Sequence, residues 1–312
     1  MDTQKRCKTC GKEFHKIGGL HLHVKKSHKL ETKEYYEKYY PKKSKLYGEI
    51  INFKNLDQYL NKDFVSRNEL IEWCSQIDSI QASEYIKGLI VKRKQDKNLI
   101  YSLSEVELEL CDFPDINSYR NVCGSYHKLC QEVGLKNLFN KKIPELFFED
   151  EGLEDKMKIF VDTREQKPIR FKNSEAMKLD FGDYTSAGEF YDYTYVDRKS
   201  EQDLKGTLSG NNFKRFKREL ERAREFNSYV FILIESTIDE IKNNNNSGAH
   251  RHKLPYIWHN LKEISQEYKD VCQFVFAYSR GGLKKLIPKV LFYGKTLWNV
   301  DLQYYINERT KQ

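Results

Sequence analysis

Three acid-bearing segments between residues 159 and 203 restrict what this chain can fold into. The segments are IFVDTRE, GDY and YVDRKS, and they hold Asp162 with Glu165, then Asp183, then Asp197. The first and third are apolar, aromatic or β-branched up to their acid, which predicts β-strands ending near Asp162 and Asp197. Asp183 follows a glycine, which predicts a turn. Strand ends and a turn can bring acids that are distant in sequence onto one edge of a sheet.

The same acids suit a divalent metal ion and phosphodiester chemistry. Carboxylate oxygens are the ligands that Mg²⁺ prefers, and they also suit Mn²⁺. Lys199 lies two residues after Asp197, and a lysine beside a metal can stabilise charge on a phosphate. We therefore predict a metal-assisted phosphodiester hydrolase. In the alternative interpretation, the acids cap turns or pair with nearby lysines and arginines.

This part of the chain resembles the nuclease domain of the XPF-type structure-specific endonucleases, a branch of the restriction-endonuclease-like superfamily. That family carries a VDxRE-like segment and a GD…ERKxxxD signature. The matching positions are Val161 to Glu165, Gly182 with Asp183, and Asp197 to Lys199 followed by Asp203. The resemblance spans residues 156–295, about half the chain. The family usually has Glu where this chain has Asp197, whose side chain is one methylene shorter.

The resemblance implies an α/β restriction-endonuclease-like domain with a mixed central sheet over residues 156–300, and Mg²⁺-dependent DNA endonuclease activity. Asp183 and Asp197 would hold the metal, and Asp162 would complete its ligand shell directly or through water. Whether one metal ion or two would bind stays open. The alternative of a different class is a folded domain that binds DNA without cutting it.

Four further residues receive roles from the resemblance. Glu165 would complete the ligand shell together with Asp162. The backbone carbonyl of Arg198 would be another ligand, and Lys199 would orient the attacking water or stabilise charge on the phosphate. Asp203 would support the site from behind the ligands.

The pattern after residue 157 alternates strands with helices, as in an α/β domain. A helix over 211–226 combines an apolar stripe with a basic face, from which Lys214, Arg215 and Arg218 would contact a DNA backbone. A solvated amphipathic helix without a nucleic-acid partner is the alternative. The asparagine run at 243–246 predicts a loop.

A zinc site is predicted near the start of the chain. Cys7, Cys10, His23 and His28 have the spacing Cys-x2-Cys-x12-His-x4-His, which is typical of a C2H2 zinc finger. The expected fold of residues 1–30 is a ββα unit, in which a hairpin bears the thiolates and a helix bears both histidines. The metal replaces a core that 30 residues cannot supply.

The finger is also rich in positive charge. Residues 1–30 contain eight lysines and arginines against two acids, which suits contact with phosphates. Lys16, Lys25 and Lys26 are the predicted nucleic-acid contacts. Of the three positions from which a finger helix reads bases, Lys16 alone carries a strong hydrogen-bonding group, so we expect an accessory DNA clamp. A protein-binding finger is the alternative.

Residues 31–148 are predicted to form a mainly helical region. A short solvated helix should end before Pro41. Residues 114–139 look like a small helix-turn-helix unit, and they resemble the DNA-binding repeats attached to homing endonucleases at Gly124-Ser125-Tyr126 and Gly134-Leu135. The alternative is a helical spacer. The acidic stretch 147–156 is interpreted as a linker to the next domain.

The whole chain is therefore expected to be a multidomain α+β protein with DNA as its partner. It has 312 residues and a formal charge of +8, which favours a polyanionic partner. No long apolar run or secretory signal is evident. We expect an intracellular protein, in the cytoplasm of a bacterial host or in a nucleus. The combination of modules favours a phage or mobile-element, homing-type nuclease, and a branched-DNA nuclease is the alternative. A homodimer through the nuclease domain is one expected assembly.

Overall fold

The computed structural model describes residues 5–53, 56–244 and 254–310. The chain divides into two compact units, Met1–Ala82 and Ser83–Gln312. Asn245 and Asn246 of the predicted asparagine loop lie outside the described residues. Among the helices that are described, none is both long and apolar enough to cross a membrane.

The first unit begins with a hairpin followed by helix α1. An antiparallel bridge joins Arg6 to Glu13, and the Cys7 N–H donates to the Lys12 carbonyl over 2.8 Å. The helices of this unit are α1 (Ile17–His28), α2 (Thr32–Tyr39), α3 (Leu56–Asn61) and α4 (Arg67–Gln76), and α5 (Ser79–Lys97) continues into the second unit.

Helix α2 differs from the solvated helix that the sequence predicts. Tyr35 and Tyr36 are fully buried in the same apolar core as Leu20 and Val24 of α1. The Tyr35 hydroxyl also accepts a hydrogen bond from the Lys8 N–H at 2.8 Å. The prediction was wrong because the finger offers an apolar surface to α2, which a reading of α2 alone cannot reveal.

The second unit starts with helices and continues into a sheet domain. Its first helices are α6 (Glu105–Leu110), α7 (Ile116–Cys123), α8 (Tyr126–Glu132) and α9 (Leu153–Lys156). The strands are β1 (Ile159–Asp162), β2 (Ser174–Met177), β3 (Tyr184–Ser186), β4 (Thr194–Lys199), β5 (Tyr229–Ile234) and β6 (Cys272–Phe276). The remaining helices are α10 (Glu201–Thr207), α11 (Gly210–Glu225), α12 (Ile238–Asn243), α13 (Leu254–Glu267), α14 (Arg280–Tyr293) and α15 (Leu302–Thr310).

The sheet is mixed and has the strand order β2-β1-β3-β4-β5-β6. Strand β3 is antiparallel to both of its neighbours, and the other pairings are parallel. Strand β5 is buried along its whole length because helices cover both faces. Apolar residues of α11, α12 and α13 pack on one face, and those of α14 pack on the other. This architecture confirms the predicted mixed α/β class.

The strand directions bring the acid-bearing segments to one edge. Strands β1, β4 and β5 run the same way, so their carboxyl ends meet, and β3 runs in reverse and begins there. Asp162 ends β1, Asp183 precedes β3, and Asp197 lies near the end of β4. The expectation that strand ends and a turn gather these acids on one edge is confirmed.

The stretch 147–156 does not behave as a linker. Phe147 is fully buried against the Tyr293 ring, with ring centroids 5.4 Å apart. Leu153 of α9 is also buried. The interpretation as a linker was wrong because both apolar side chains are buried and Phe147 belongs to the core beneath α14.

A buried ion pair connects α6 to the end of α13. The Lys269 ammonium lies 3.1 Å from a Glu107 oxygen, and both side chains are at most 1% exposed. Glu107 also accepts hydrogen bonds from Ser104 and Gln266. A buried charged side chain strongly destabilises the fold if its partner is removed. This pair therefore fixes α6 against the sheet domain.

We predict that Glu107→Ala lowers the free energy of unfolding by about 3–5 kcal/mol, because it leaves the Lys269 charge buried without its partner. Urea unfolding measures the change. In the control Glu132→Ala, whose partner Lys87 is exposed, the loss should stay below about 1 kcal/mol. Equal losses in the two variants would contradict this account.

Candidate active site and metal centre

Asp183 and Asp197 are held side by side by the β3–β4 pairing. The Asp183 N–H donates to the Val196 carbonyl at 2.8 Å, and an Asp183 carboxylate oxygen accepts from the Arg198 N–H at 2.7 Å. Gly182 permits this approach, since its φ is +57° and an added Cβ would lie 2.7 Å from the Val196 oxygen. A side chain at this position would push the turn away from β4.

Lys199 sits directly on Asp197. Its ammonium lies 2.8 and 3.0 Å from the two carboxylate oxygens. It also lies over the Phe216 ring of α11, 5.7 Å from the centroid. Burial alone would lower the pKa of Lys199, but the charge of Asp197 outweighs it and raises the pKa. Lys199 is therefore a charged group inside the site.

The environment of Asp183 is poorly suited to a second negative charge. Burial raises its pKa to about 8, and the neighbouring Asp197 charge adds to the effect. The Arg198 N–H opposes the shift without cancelling it. Two partly desolvated carboxylates of this kind are stabilised by a divalent cation, and their oxygens are the ligands that Mg²⁺ prefers. This donor set therefore fits the predicted metal.

Asp162 is brought to the same edge but faces other partners. Its two oxygens receive the Arg164 guanidinium at 2.8 and 2.7 Å, and also the N–H groups of Arg164 and Leu179. Burial alone would raise its pKa, but these hydrogen bonds hold the pKa below its ordinary value. A carboxylate with four donors has little capacity left for a metal. The structure thus gives Asp162 a bracing role, and its completion of a metal's ligand shell, directly or through water, stays a prediction.

Glu165 and the Arg198 side chain form a second buried network. The Arg198 guanidinium lies 3.0 Å from Glu165 and 3.1 Å from Glu235. Arg280 reaches the same Glu235 oxygen at 2.9 Å. In an extended strand the N–H and C=O of one residue point to the same side, so the Arg198 carbonyl faces the side on which its N–H meets Asp183. The role of this carbonyl as a metal ligand stays a prediction.

Asp203 has a local structural partner. Its carboxylate accepts from the Ser200 hydroxyl at 2.6 Å and closes the capping box at the start of α10. The bond orients the turn that follows Lys199. The structure thus gives Asp203 a helix-capping role, and the support of the metal site that the resemblance implies stays a prediction.

Glu219 is a site residue that the sequence analysis missed. It is half-buried on α11, one helical turn after the Phe216 that Lys199 covers. Burial raises its pKa, and the Asp197 charge adds to the shift. Within the described residues, no hydrogen bond or ion pair reaches its carboxylate. The sequence signal that could have identified it was a single acid within an otherwise basic run, KRFKRE.

The basic face of α11 borders this site. Lys214, Arg215 and Arg218 are all exposed, as their predicted role requires. Lys217 differs, because it is paired with Glu263 and Glu267 of α13. The predicted contacts are thus accessible, and their binding to DNA stays a prediction.

The four predicted zinc ligands converge. The donor atoms of Cys7, Cys10, His23 and His28 all lie within 4.8 Å of one another. The Cys10 sulfur and the His28 Nε2 each lie 3.2 Å from the His23 Nε2. In tetrahedral zinc sites with Zn–N bonds near 2.0–2.1 Å, nitrogen ligands are about 3.3–3.4 Å apart. The residues therefore fit zinc.

The acids of the sheet edge are less tightly gathered. Within the part of the chain that the structure describes, the Cys/His group is the one set of three or more metal-binding side chains whose donors converge this closely. The sheet edge offers Asp183 and Asp197 as a pair, with Glu219 nearby and Asp162 facing Arg164. A metal there would have to complete its shell with water, backbone or phosphate oxygens, as Mg²⁺ commonly does.

The lysines of the finger differ in their surroundings. Lys16 and Lys26 are exposed. Lys25 forms an ion pair with Glu31 at 2.8 Å, with both side chains more than 60% exposed. Such pairs are weak, so Lys25 remains free to exchange Glu31 for a phosphate.

Among the solved structures that resemble this chain, two structures of XPF from Aeropyrum pernix show low similarity to it. XPF from Aeropyrum pernix in complex with DNA is 19% identical, with a TM-score of 0.34 over 45% of this chain and 65% of that chain. The second structure, of XPF from Aeropyrum pernix, is 18% identical, with a TM-score of 0.33 over 49% of this chain and 73% of that one. This chain therefore spans less than two thirds of the first. No protein-family model and no curated protein matches this chain.

We predict that removal of zinc unfolds more than residues 1–30. Tyr35, Tyr36 and Tyr59 share one core with Leu20 and Val24, so the loss of the metal should also expose residues 31–59. Hydrogen exchange with and without a chelator measures this. Exchange in residues 254–310 should not change. Loss of protection confined to the finger would show that the shared core stands without the metal.

We predict that Asp183→Asn flattens the pH dependence of stability in the metal-free protein. The folded pKa of about 8 lies above the ordinary 3.8, so folded Asp183 binds its proton more tightly than the unfolded chain does. Its stabilising contribution is present below pH 4 and lost as the pH rises to about 8. Urea unfolding from pH 4 to 9 in EDTA tests this. Parallel curves for wild type and variant would contradict the assignment.

Proposed function

We propose that this protein is a Mg²⁺-dependent DNA endonuclease. The observation that carries the proposal is the pairing of Asp183 with Asp197 at one sheet edge, with the Lys199 ammonium on Asp197 and a basic helix face beside it. Carboxylates, a lysine and neighbouring cations are the groups that metal-assisted phosphodiester hydrolysis needs. A DNA-binding platform without activity would have no use for two half-buried acids that repel each other.

Asp183 and Asp197 would provide the oxygens that hold the cation, together with the Arg198 carbonyl. When bound, Mg²⁺ supplies a Lewis acid that polarises the phosphate. Lys199 would hold the attacking water or the phosphate oxygen, since its charge is fixed by Asp197. The Asp162 N–H donates to the Asp183 carbonyl at 2.8 Å, which keeps the end of β1 in register with Asp183, and Arg164 holds the Asp162 side chain.

Glu219 adds a carboxylate that has room for a ligand. Its position beside Asp197 and Lys199 would let it accept the proton of the attacking water or bind a water of the cation's shell. The burial of Glu219 and its neighbouring negative charge raise its pKa, which makes it a better proton acceptor. We therefore include Glu219 in the site in the place that Asp162 was expected to occupy.

DNA would reach the site along α11 and be held further by the finger. Lys214, Arg215 and Arg218 offer exposed cations beside the catalytic edge, and Lys16 and Lys26 offer two more in the first unit. Contacts of this kind bind phosphates without reading sequence. A homing-type nuclease of a phage or mobile element and a branched-DNA nuclease are both compatible with this arrangement, and the substrate distinguishes them.

The decisive experiment measures cleavage by wild type and by Asp183→Asn, Lys199→Met and Glu219→Gln with Mg²⁺. We expect the first two to lose at least about 100-fold in single-turnover rate, because each removes a group that acts on the phosphate. Glu219→Gln should lose about 10–100-fold, as is typical for a proton acceptor. Glu225→Gln, an exposed change on the same helix, is the matched control and should cut normally.

Linear, flapped and four-way DNA are compared in the same assay. Faster cutting of flapped or four-way DNA than of linear duplex would favour the branched-DNA function. Preference for one linear sequence would favour the homing-type function. If wild type cuts none of them with Mg²⁺ or Mn²⁺, or if Asp183→Asn cuts at the wild-type rate, the proposed activity is wrong.

A further inference from the structure

A cavity of about 230 Å³ lies in the second unit between helices α7 and α8 and the C-terminal helix α15. It is smaller than the roughly 300–1,000 Å³ of pockets that take drug-sized ligands, so it suits a group the size of one nucleobase. Some of the residues that line the cavity are buried, and others are exposed to solvent. The α7–α8 turn that borders it contains the Gly-Ser-Tyr motif of the sequence analysis, which the nuclease site does not use.

The inner walls are aromatic and rigidly held. The Tyr126 hydroxyl donates to the Leu103 carbonyl at 2.8 Å, and the Tyr304 hydroxyl donates to Asn117 at 2.7 Å. Phe139 and the half-buried Tyr305 complete the walls. Because the two hydroxyls already have partners, these residues add mainly aromatic carbon to the lining, the kind of surface against which bases pack.

Asp301 provides a polar group at the buried end. Its carboxylate oxygens accept from the Glu105 and Tyr304 N–H groups at 2.8 and 3.3 Å. Each oxygen has a further lone pair, so the group can accept from an exocyclic amino group of a base. Burial also raises the pKa of Asp301 to about 7, which lets it donate as well as accept near neutral pH.

The mouth of the cavity is positively charged. Arg120, Lys141 and Lys142 line it and are exposed. The Arg120 guanidinium is anchored on the Tyr304 hydroxyl at 3.1 Å. The Lys141 N–H is tied to the Asn299 carbonyl at 3.0 Å, which fixes this segment over the cavity. Three cations around an opening suit a phosphate.

We propose that this cavity binds one unpaired nucleotide of a DNA strand, with the base between the aromatic walls and its phosphate at the cationic mouth. A free phosphate would not need aromatic walls, and an apolar ligand would not need three cations. The inference shares with the proposed function the assumption that DNA is the partner. It requires no cleavage, so the two can fail separately.

The test uses the full chain in EDTA, so that no DNA is cut, and two duplexes of equal sequence. One duplex carries a single unpaired 2-aminopurine, and in the other that base is paired. We expect wild type to bind the unpaired duplex about tenfold more tightly, as one stacked base provides, and to quench its fluorescence. Equal affinity for the two duplexes would overturn the proposal.

Variants locate the effect in the cavity. Tyr305→Leu should lose both the preference and the quenching while binding paired DNA normally, and Tyr305→Phe, which keeps the ring, should retain both. Lys142→Ala should weaken binding of the unpaired duplex, whereas Lys128→Ala on α8, outside the cavity, should not change the preference. A preference that survives in Tyr305→Leu would place the binding elsewhere and refute the assignment.

The same preparations separate this inference from the proposed activity. If wild type does not cleave DNA with Mg²⁺ but prefers the unpaired duplex in a way that depends on Tyr305, the nuclease activity is refuted and the nucleotide site is supported. If cleavage depends on Asp183 but the two duplexes bind equally, the nuclease activity is supported and the nucleotide site is refuted.

Discussion

The repulsion between Asp183 and Asp197 is the constraint on which the sheet domain depends. Two carboxylates are held together where water is scarce, and burial raises the pKa of Asp183 to about 8. The cost is met by fixed partners, since the Arg198 N–H binds Asp183 and Lys199 binds Asp197. A folded protein keeps such an arrangement only where the surrounding structure enforces it, and here the β3–β4 pairing and the Gly182 turn do so.

The neighbouring charges form layers around this pair. Arg164 pairs with Asp162, and Arg198 and Arg280 together pair with Glu165 and Glu235. These acids therefore hold strand ends together through their arginine partners. Asp183, Asp197 and Glu219 are the acids that remain to bind a cation. Because the paired acids add little to the electrostatic repulsion, a sheet edge with this many carboxylates can still fold.

The first unit meets a different constraint, because its core is small. Zinc would bring the four ligands together, and the tyrosines of residues 31–59 extend the apolar core that the finger begins. The finger and the segment after it thus form one packed body. Any effect of the finger on DNA binding would then depend on both the metal and these tyrosines.

The sequence by itself determined the mixed α/β class and a set of candidate residues. Runs of apolar, aromatic and β-branched residues located β1 and β4, and the ligand spacing identified Cys7, Cys10, His23 and His28 as a candidate zinc set before any coordinates. Those signals are local, because a strand's pattern and a finger's spacing are written in consecutive residues.

Tertiary structure alone decided which acids are free. Asp162 and Glu219 look equally available in the sequence, but Asp162 is saturated by Arg164 and Leu179, while α11 carries Glu219 to Lys199. Likewise, Tyr36 is buried in the core of the first unit and Phe147 is buried against Tyr293. In both cases the burial comes from partners that lie outside the residue's own segment. The physical reason is that burial and hydrogen-bond saturation depend on what packs against a residue, and that is fixed only when the elements assemble.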